Sequence, residues 1–326
     1  MKLTIGIKAL NEEEHIGRCL AGALRAARKL GGEVVLADSG STDATIDIAR
    51  RHDVRIVQIG RIEERSCGAG AQLAFQFARG EYFYLIDGDM IVRDGFVERA
   101  IDHLDHHPDV AAVGGRIVER NLLNPEFKIR NASVSEPREA IKTVDRLDGG
   151  GVYRTAALRQ LGYFADRNLH SFEEFELGAR LRKAGWRLVR LSQPAVDHYG
   201  HRMSGYTLLL RRIKGGYANG LGEVVRSALG TPHMSTVVLG LSQVRHAAFV
   251  IVWWLLLLGC AMTGSPIALA VLMATPIIFL SLRRRSLPLG LYSFVSWNVN
   301  AFGLIAGLLQ RRTNPNAPIE AIEIKP

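Results

Sequence analysis

Tyr82-Phe83-Tyr84-Leu85-Ile86-Asp87-Gly88-Asp89 is the stretch that decides how this chain is read. Its first five residues are apolar and rich in aromatics, which suits a short buried strand, and the strand stops at two carboxylates around a glycine. The pattern repeats outward. LTIGI at 3–7 leads into Asn11-Glu12-Glu13-Glu14, VVLA at 34–37 leads into Asp38-Ser39-Gly40-Ser41-Thr42-Asp43, and VRIVQI at 54–59 precedes a helical stretch beginning Gly68-Ala69-Gly70. On the other side come GFVERAIDHLDHH at 95–107 and VAAVGGRIV at 110–118. Short β-rich runs alternating with helical patterns predict an α/β fold with a mainly parallel sheet flanked by helices. Ligands bind such sheets beyond the carboxyl ends of the strands, where these polar clusters fall.

Each cluster alone is also what a helix start would show, because first-turn carboxylates favour the helix dipole and Ser or Thr caps it. Asp87-Gly88-Asp89 says more through its chemistry. Carboxylates suit hard divalent ions such as Mg²⁺ or Mn²⁺, which complete their shell with the oxygens of a diphosphate. No G-x-x-x-x-G-K-[ST] loop occurs, and Gly68-Ala69-Gly70 is too short for a dinucleotide fingerprint. Phosphate handling is therefore expected to depend on a metal and on basic side chains. A fourth cluster, Phe172-Glu173-Glu174-Phe175-Glu176-Leu177, opens a helix whose Arg180, Arg182 and Lys183 are expected to point outward or toward a ligand. Val196-Asp197-His198-Tyr199-Gly200-His201 adds imidazoles after an apolar strand.

The 326 residues carry 41 Lys and Arg against 32 Asp and Glu, a net charge of +9, with 48% hydrophobic residues, which excludes a disordered chain and allows two units. Cys19, Cys67 and Cys260 are far apart, so neither a disulfide framework nor a zinc ribbon is expected, and a reducing compartment is. The N-terminal segment runs from a short apolar stretch straight into acids and lacks the apolar core of a secretory signal. The charge is unevenly placed. No Asp or Glu occurs between Glu223 and Glu320, so the basic balance belongs to the later part and no nucleic-acid partner is expected.

Within that acid-free part, Ala247–Thr263 and Pro266–Leu282 are uncharged runs close to the length a bilayer-crossing helix needs, about 17–25 residues. Gly264-Ser265-Pro266 joins them into a hairpin. Arg245 before it and Arg283-Arg284-Arg285 after it place both ends in the cytoplasm. A third run, Leu287–Leu309, carries Ser293, Ser296, Asn298 and Asn300 and either crosses as well or lies re-entrant or interfacial. The stretch from Arg202 to Arg245 suits an anionic membrane surface or a solvated basic helix. The expected organisation is a cytoplasmic catalytic domain at 1–225, an interfacial linker at 226–245, a membrane region at 246–312 and a polar tail at 313–326.

Taken in order, the motifs resemble those of the inverting family-2 nucleotide-sugar glycosyltransferases. They are A-L-N-E at 9–12, A-D-S-G-S-T-D at 37–43, A-R-G-E-Y at 78–82, L-I-D-G-D at 85–89, G-G-G at 149–151 with L-G-Y-F at 161–164, E-E-F-E-L at 173–177 with R-L-R-K-A-G-W at 180–186, and D-H at 197–198. The resemblance covers about residues 2–200 and implies the Rossmann-like glycosyltransferase A fold. By it, Glu12 and Asp38 hold the ribose and base, Asp87 contacts the nucleotide, and Asp89 with His198 holds the divalent metal, Mn²⁺ or Mg²⁺. Gly150, Gly151 and Glu173 line the acceptor side, and Glu174 is the catalytic base. The chain departs from the family at Leu10, where an aromatic residue usually stacks on the base, and at Lys8, usually proline. Ala71-Gln72 replaces an Arg-Asn pair, which shifts the expected diphosphate contact to Arg61 or Arg65. The Gln-x-x-Arg-Trp signature of processive synthases is absent.

The expected activity is inverting transfer of one sugar from a nucleotide-diphosphate sugar to a hydroxyl of a lipid-linked acceptor at the inner face of the cytoplasmic membrane. An enzyme whose acceptor diffuses in the bilayer gains by confinement beside it. A polyprenyl-phosphate acceptor is the neighbouring alternative. A non-catalytic membrane scaffold, or a sugar-nucleotide-binding protein of a polysaccharide assembly complex, is the alternative from another class.

Overall fold

A computed structural model describes residues 1–121, 141–200 and 205–325. It divides into one unit of Met1–Met203 with Arg312–Pro326 and a second of Ser204–Arg311. The division by contacts falls at 203, where the sequence suggested 225, and groups Arg312–Pro326 with the first unit. His201 and Arg202 lie outside the described residues.

In the first unit, β1 (Leu3–Ala9), β2 (Glu33–Asp38), β3 (Arg55–Ile59) and β4 (Tyr82–Asp87) form the parallel core in the order β3-β2-β1-β4. The remaining pairings make the sheet mixed. β8 (Gly151–Arg154) is antiparallel to β4 and to β6 (Val110–Glu119), and β6 runs parallel to β9 (Arg187–His198). β9 is antiparallel to β5 (Met90–Val92) and β7 (Ile141–Val144). At the opposite edge β10 (Ala321–Ile324) lies antiparallel to β3.

The continuous apolar runs of the parallel strands follow from burial on both faces. Leu3, Ile5, Ile7, Val34, Leu36, Tyr82, Tyr84 and Ile86 join one core under α1 (Ile16–Lys29) and α4 (Phe96–His106). Val35, Ala37, Val57, Phe83 and Leu85 join the other, under α3 (Cys67–Gln76) and α6 (Glu173–Lys183). α1 presents Ile16, Cys19, Leu20, Ala23 and Ala27 at helical spacing and ends in Arg28 and Lys29, which complement its dipole. Short helices α2 (Thr45–Ala49) and α5 (Thr155–Gln160) also belong to the unit. Register fixes the functional edge: Lys8 is level with Asp87 and Ala9 with Asp38, so β1, β2 and β4 deliver their polar ends together.

The segment 312–325 is tied to this unit along its length. Arg312 pairs with the buried Asp166 at 2.7 Å, Asn168 and Thr313 exchange two hydrogen bonds, and Gln76 exchanges two with Ile319, which is 2% exposed. Burying one isoleucine contributes about 1.5–3 kcal/mol. Arg55 then meets Glu323 through two donors at 2.8 and 3.0 Å.

The second unit is helical: α7 (Gly205–Lys214), a 3-10 turn (Tyr217–Asn219), α8 (Gly220–Ala228), α9 (Met234–Gly240), α10 (Ser242–Met262), α11 (Pro266–Arg284) and α12 (Leu287–Leu309). The expected linker at 226–245 is therefore mostly helix. α10, α11 and α12 are long and apolar enough to cross a membrane. Their breaks are encoded locally: Gly264 and Arg285 take left-handed conformations that end helices, and a proline opens each of the next two. Trp254 donates to Asn298 at 2.8 Å and His246 stacks on Trp297 at 4.2 Å, which accounts for two of the polar positions in these runs.

Candidate active site

Lys8 is the hinge of the site. Lys8, at the end of an otherwise apolar strand, has a side chain only 19% exposed, so it needs anionic partners. It finds Asp87 at 3.2 Å on the adjacent strand and Glu173 at 2.9 Å in the first turn of α6. Burial disfavours its charge, but Asp87 and Glu173 outweigh burial and hold the ammonium well above the ordinary lysine range. The strand-end acids and the E-E pair, far apart in sequence, thereby become one cluster.

Glu174, next in the chain, accepts hydrogen bonds from the Gly149 amide on both carboxylate oxygens, at 3.0 and 2.9 Å. Burial pushes its carboxyl up to about 8, Lys8 pulls it down, and Glu173 adds to the rise. α6 begins after Phe172, a bulky residue at φ 67°. Such backbone costs on the order of 1–3 kcal/mol and is commonest where a site fixes a side chain. Gly149 and Gly150 have φ of 66° and 111°, and a Cβ on Gly150 would stand 3.2 Å from the Leu85 carbonyl, so the triple glycine can pass close behind β4 only without side chains. Gly151 begins β8, where a Cβ would meet Leu147 at 2.4 Å.

On the other side of Asp87, Asp89 is 7% exposed and its Oδ2 lies 3.3 Å from His198 Nε2. His198 Nδ1 lies 2.7 Å from Glu119, a buried carboxylate at the end of β6. β5 and β6 flank β9: Glu119 is level with His198, and Asp89 immediately precedes Met90, which pairs with His198 from the other side. Burial opposes charge on the imidazole, but its hydrogen bonds to Asp89 and Glu119 raise it to about 10, so a metal ion taken up at Nε2 would have to displace the proton held there. Among the described residues no group of three or more His, Cys, Asp or Glu stands ready to hold a metal. Asp89 and His198 fit an ion that draws its other ligands from a diphosphate and water, with Glu119 orienting the imidazole through its far nitrogen.

The remaining expected residues do different things. Asp38 is fully buried and accepts from the amides of Gly40 and Ser41, from the Ser41 hydroxyl and from Gln58, so its carboxylate organises the 38–43 loop. A ribose contact would have to displace one of these. Asn11, at φ 57°, ties that loop to β1 by accepting from the Thr42 amide at 2.8 Å. The Glu12 side chain lies over Gly88, where a Cβ would come within 2.9 Å of Glu12 Cγ. Leu10 is half-buried beside it, while Arg65 is exposed and extended at the end of the 3-10 turn Ile62–Glu64. Arg61 is engaged with Glu64 and Glu320.

Arg180 corrects an expectation: it points inward, 8% exposed, bonding Glu176 at 2.7 Å and the carbonyls of Tyr163 and Phe164. Glu176 is thus a structural partner, separate from Glu174. Gly68 serves packing, its amide bonded to the Leu169 carbonyl and its Cα against Asp166. The sequence does not by itself mark Lys8 as the hinge of a cluster, nor Glu119 as the partner of His198. The available signals were a cation inside an apolar strand and a glutamate closing one.

A sheet whose parallel strands present acids at their carboxyl ends, with a Rossmann-like half and a mixed half, is the glycosyltransferase A architecture. Residues 4–162 match the family described as glycosyl transferase family 2. The succinoglycan biosynthesis protein ExoA of Rhizobium meliloti is 26% identical over 219 residues, 60% of this chain and 62% of ExoA. The chain thus spans less than two thirds of that relative. The mannosyltransferase PcManGT from Pyrobaculum calidifontis, solved with GDP-Man and Mn²⁺, has a TM-score of 0.57 at 22% identity over 94% of this chain and 85% of its own. Staphylococcus aureus TarS 1-349, solved with UDP-GlcNAc, has a TM-score of 0.50 at 16% identity over 88% and 93%. Those two likenesses concern the fold.

Proposed function

We propose that the protein transfers one sugar from a nucleoside-diphosphate sugar to a hydroxyl of a lipid-linked acceptor at the cytoplasmic face of a membrane, with inversion at the anomeric carbon. The observation that carries this reading is the single cluster in which Lys8 joins Asp87 to Glu173, with Glu174 gripped by Gly149 beside it and Asp89 gripped by His198. An acceptor hydroxyl is a weak nucleophile near neutral pH, and a carboxylate within hydrogen-bond reach removes its proton as it attacks. Glu174 is that base. Its raised affinity for a proton suits the work, since a base near 8 is a better acceptor than an ordinary carboxylate. Lys8 and Glu173 keep the local charge balanced while the proton arrives.

Asp89 and His198 would hold a divalent ion, Mn²⁺ or Mg²⁺, which would supply charge neutralisation for the leaving diphosphate. Glu12 and the loop fastened by Asp38 and Asn11 border the nucleotide, and Gly150 and Gly151 border the acceptor. ExoA's name places that relative in polysaccharide biosynthesis, and three apolar helices here are consistent with membrane association. These support an acceptor carried in the bilayer.

The test is release of nucleoside diphosphate from a panel of sugar nucleotides, with Mn²⁺, Mg²⁺ or EDTA, with and without membrane lipid extract. Metal-dependent, lipid-stimulated release supports the reading. Absence of release under every combination overturns it in favour of a non-catalytic scaffold. Lability of the labelled product to mild acid separates a polyprenyl-phosphate sugar from a glycosidic product.

A further inference from the structure

We infer that the chain crosses the bilayer twice, through α10 and α11, and that α12 lies along the membrane surface as an interfacial helix facing anionic lipid. The inference rests on the membrane reading above and goes beyond it in topology. Three helices pass the length and apolarity requirement, yet the first unit is built from residues on both sides of them in the chain: Met1–Met203 and Arg312–Pro326. β10 is hydrogen-bonded to β3, and Arg312 is paired with Asp166. A folded sheet occupies one side of a bilayer, so the chain that leaves this unit and rejoins it crosses an even number of times.

Charge then decides which helix stays out. Crossing by α11 and α12 without α10 would carry Arg283, Arg284 and Arg285 to the far side, whereas crossing by α10 and α11 returns them to the side of Arg245. α12 is the least apolar and the most buried of the three. Its contacts run along a charged segment. Tyr292 packs on Tyr206 at 5.4 Å, and a Cβ on Gly303 or Gly307 would meet the carbonyls of Ala218 or Asn219 at 1.9 and 2.1 Å. The Arg311 carbonyl accepts from Arg226 at 3.3 Å. Were α12 transmembrane, the accompanying stretch 205–226, with Arg211, Arg212, Lys214, Glu223 and Arg226, would enter the hydrocarbon with it. Each such residue costs at least about 2.5–3.5 kcal/mol at the bilayer centre.

The same stretch is built for a lipid surface. α7 exposes Tyr206, Leu210 and Ile213 at helical spacing, with Tyr217 beyond them, beside Arg211, Arg212 and Lys214. α12 exposes Leu291, Val295, Phe302, Ile305 and Leu309 as one stripe.

Sided labelling of the full chain in sealed membrane vesicles with an impermeant maleimide, read by peptide mass, tests the crossing number. Arg51→Cys marks the first unit. Ser286→Cys and Lys325→Cys should react from the same face as Arg51→Cys, and Ser265→Cys only from the opposite face. Reaction of Lys325→Cys or Ser286→Cys from the Ser265 face, or of all four from one face, overturns two crossings. Depth measurement with spin labels at Leu291→Cys, Phe302→Cys and Leu309→Cys tests the lie of α12: equal shallow depths support it, and a centre deeper than both ends by about half of the ~30 Å core overturns it. Release of the protein by alkaline carbonate would instead defeat the membrane reading itself, whatever the outcome for sugar transfer.

Discussion

Glu174 and Lys8 carry opposite electrostatic demands in one pocket, and their titration is measurable. Because the base proposed for this site, Glu174, works only when ionised, kcat/KM should rise about tenfold per pH unit below about 8 and level off above it. Glu174→Gln should lower kcat by about 10²–10⁴ and abolish that limb while nucleotide affinity changes less than about threefold, checked by initial rates and by nucleotide titration. Lys8→Met removes the cation that holds Glu174 down, so the limb should move above 8; an unmoved limb would separate Lys8 from the base. Stability runs the other way. The folded carboxyl binds its proton more tightly than the unfolded one, so its contribution is complete below 4.5 and is lost as pH rises through about 8. The acids of this site were legible because each ends a strand or opens a helix. The electrostatic bridge was not, since the Lys8 contact to Glu173 spans 165 positions and depends on how α6 is seated.

At the scale of elements, the sequence alternation located the parallel strands because burial on both faces leaves a continuous apolar signature. The short strands β5, β7 and β10 escaped it. β10 is four residues whose pairing depends on a partner far earlier in the chain, and two of its residues, Ile322 and Glu323, are exposed. The apolar runs gave α10 and α11 within a few residues, since length and lipid solubility suffice to mark them. Packing within the second unit depends on small residues. A Cβ on Gly222 would stand 2.1 Å from the Leu304 carbonyl, so α8 and α12 meet backbone to backbone. Gly307→Leu should therefore separate them at a cost of several kcal/mol, lowering the detergent-solubilised melting temperature, whereas Gly259→Ala, with open space around it, should leave it unchanged.

For the whole molecule, net charge and average composition were misleading because they mix an acid-bearing sheet unit with a nearly acid-free helical one. Separating them accounts for the +9 without invoking a polyanionic partner. The helical unit is an insertion, entered at Ser204 and left at Arg311. Removing residues 312–326 should deprive Asp166 of Arg312 and Gln76 of Ile319, and limited proteolysis should cut the shortened first unit at least about tenfold faster if local opening becomes easier by 1.4 kcal/mol or more. Equal cleavage rates would make the tail dispensable.

The closing strand also imposes an order on biosynthesis. β3 emerges from the ribosome early, and its edge waits, amides and carbonyls unpaired, until Ala321–Ile324 have been made after every apolar helix. An open edge of this kind is a template for association with other chains. Completion of the sheet thus follows synthesis of all three long apolar helices, and the last strand acts as a latch that closes only on chains already translated through them.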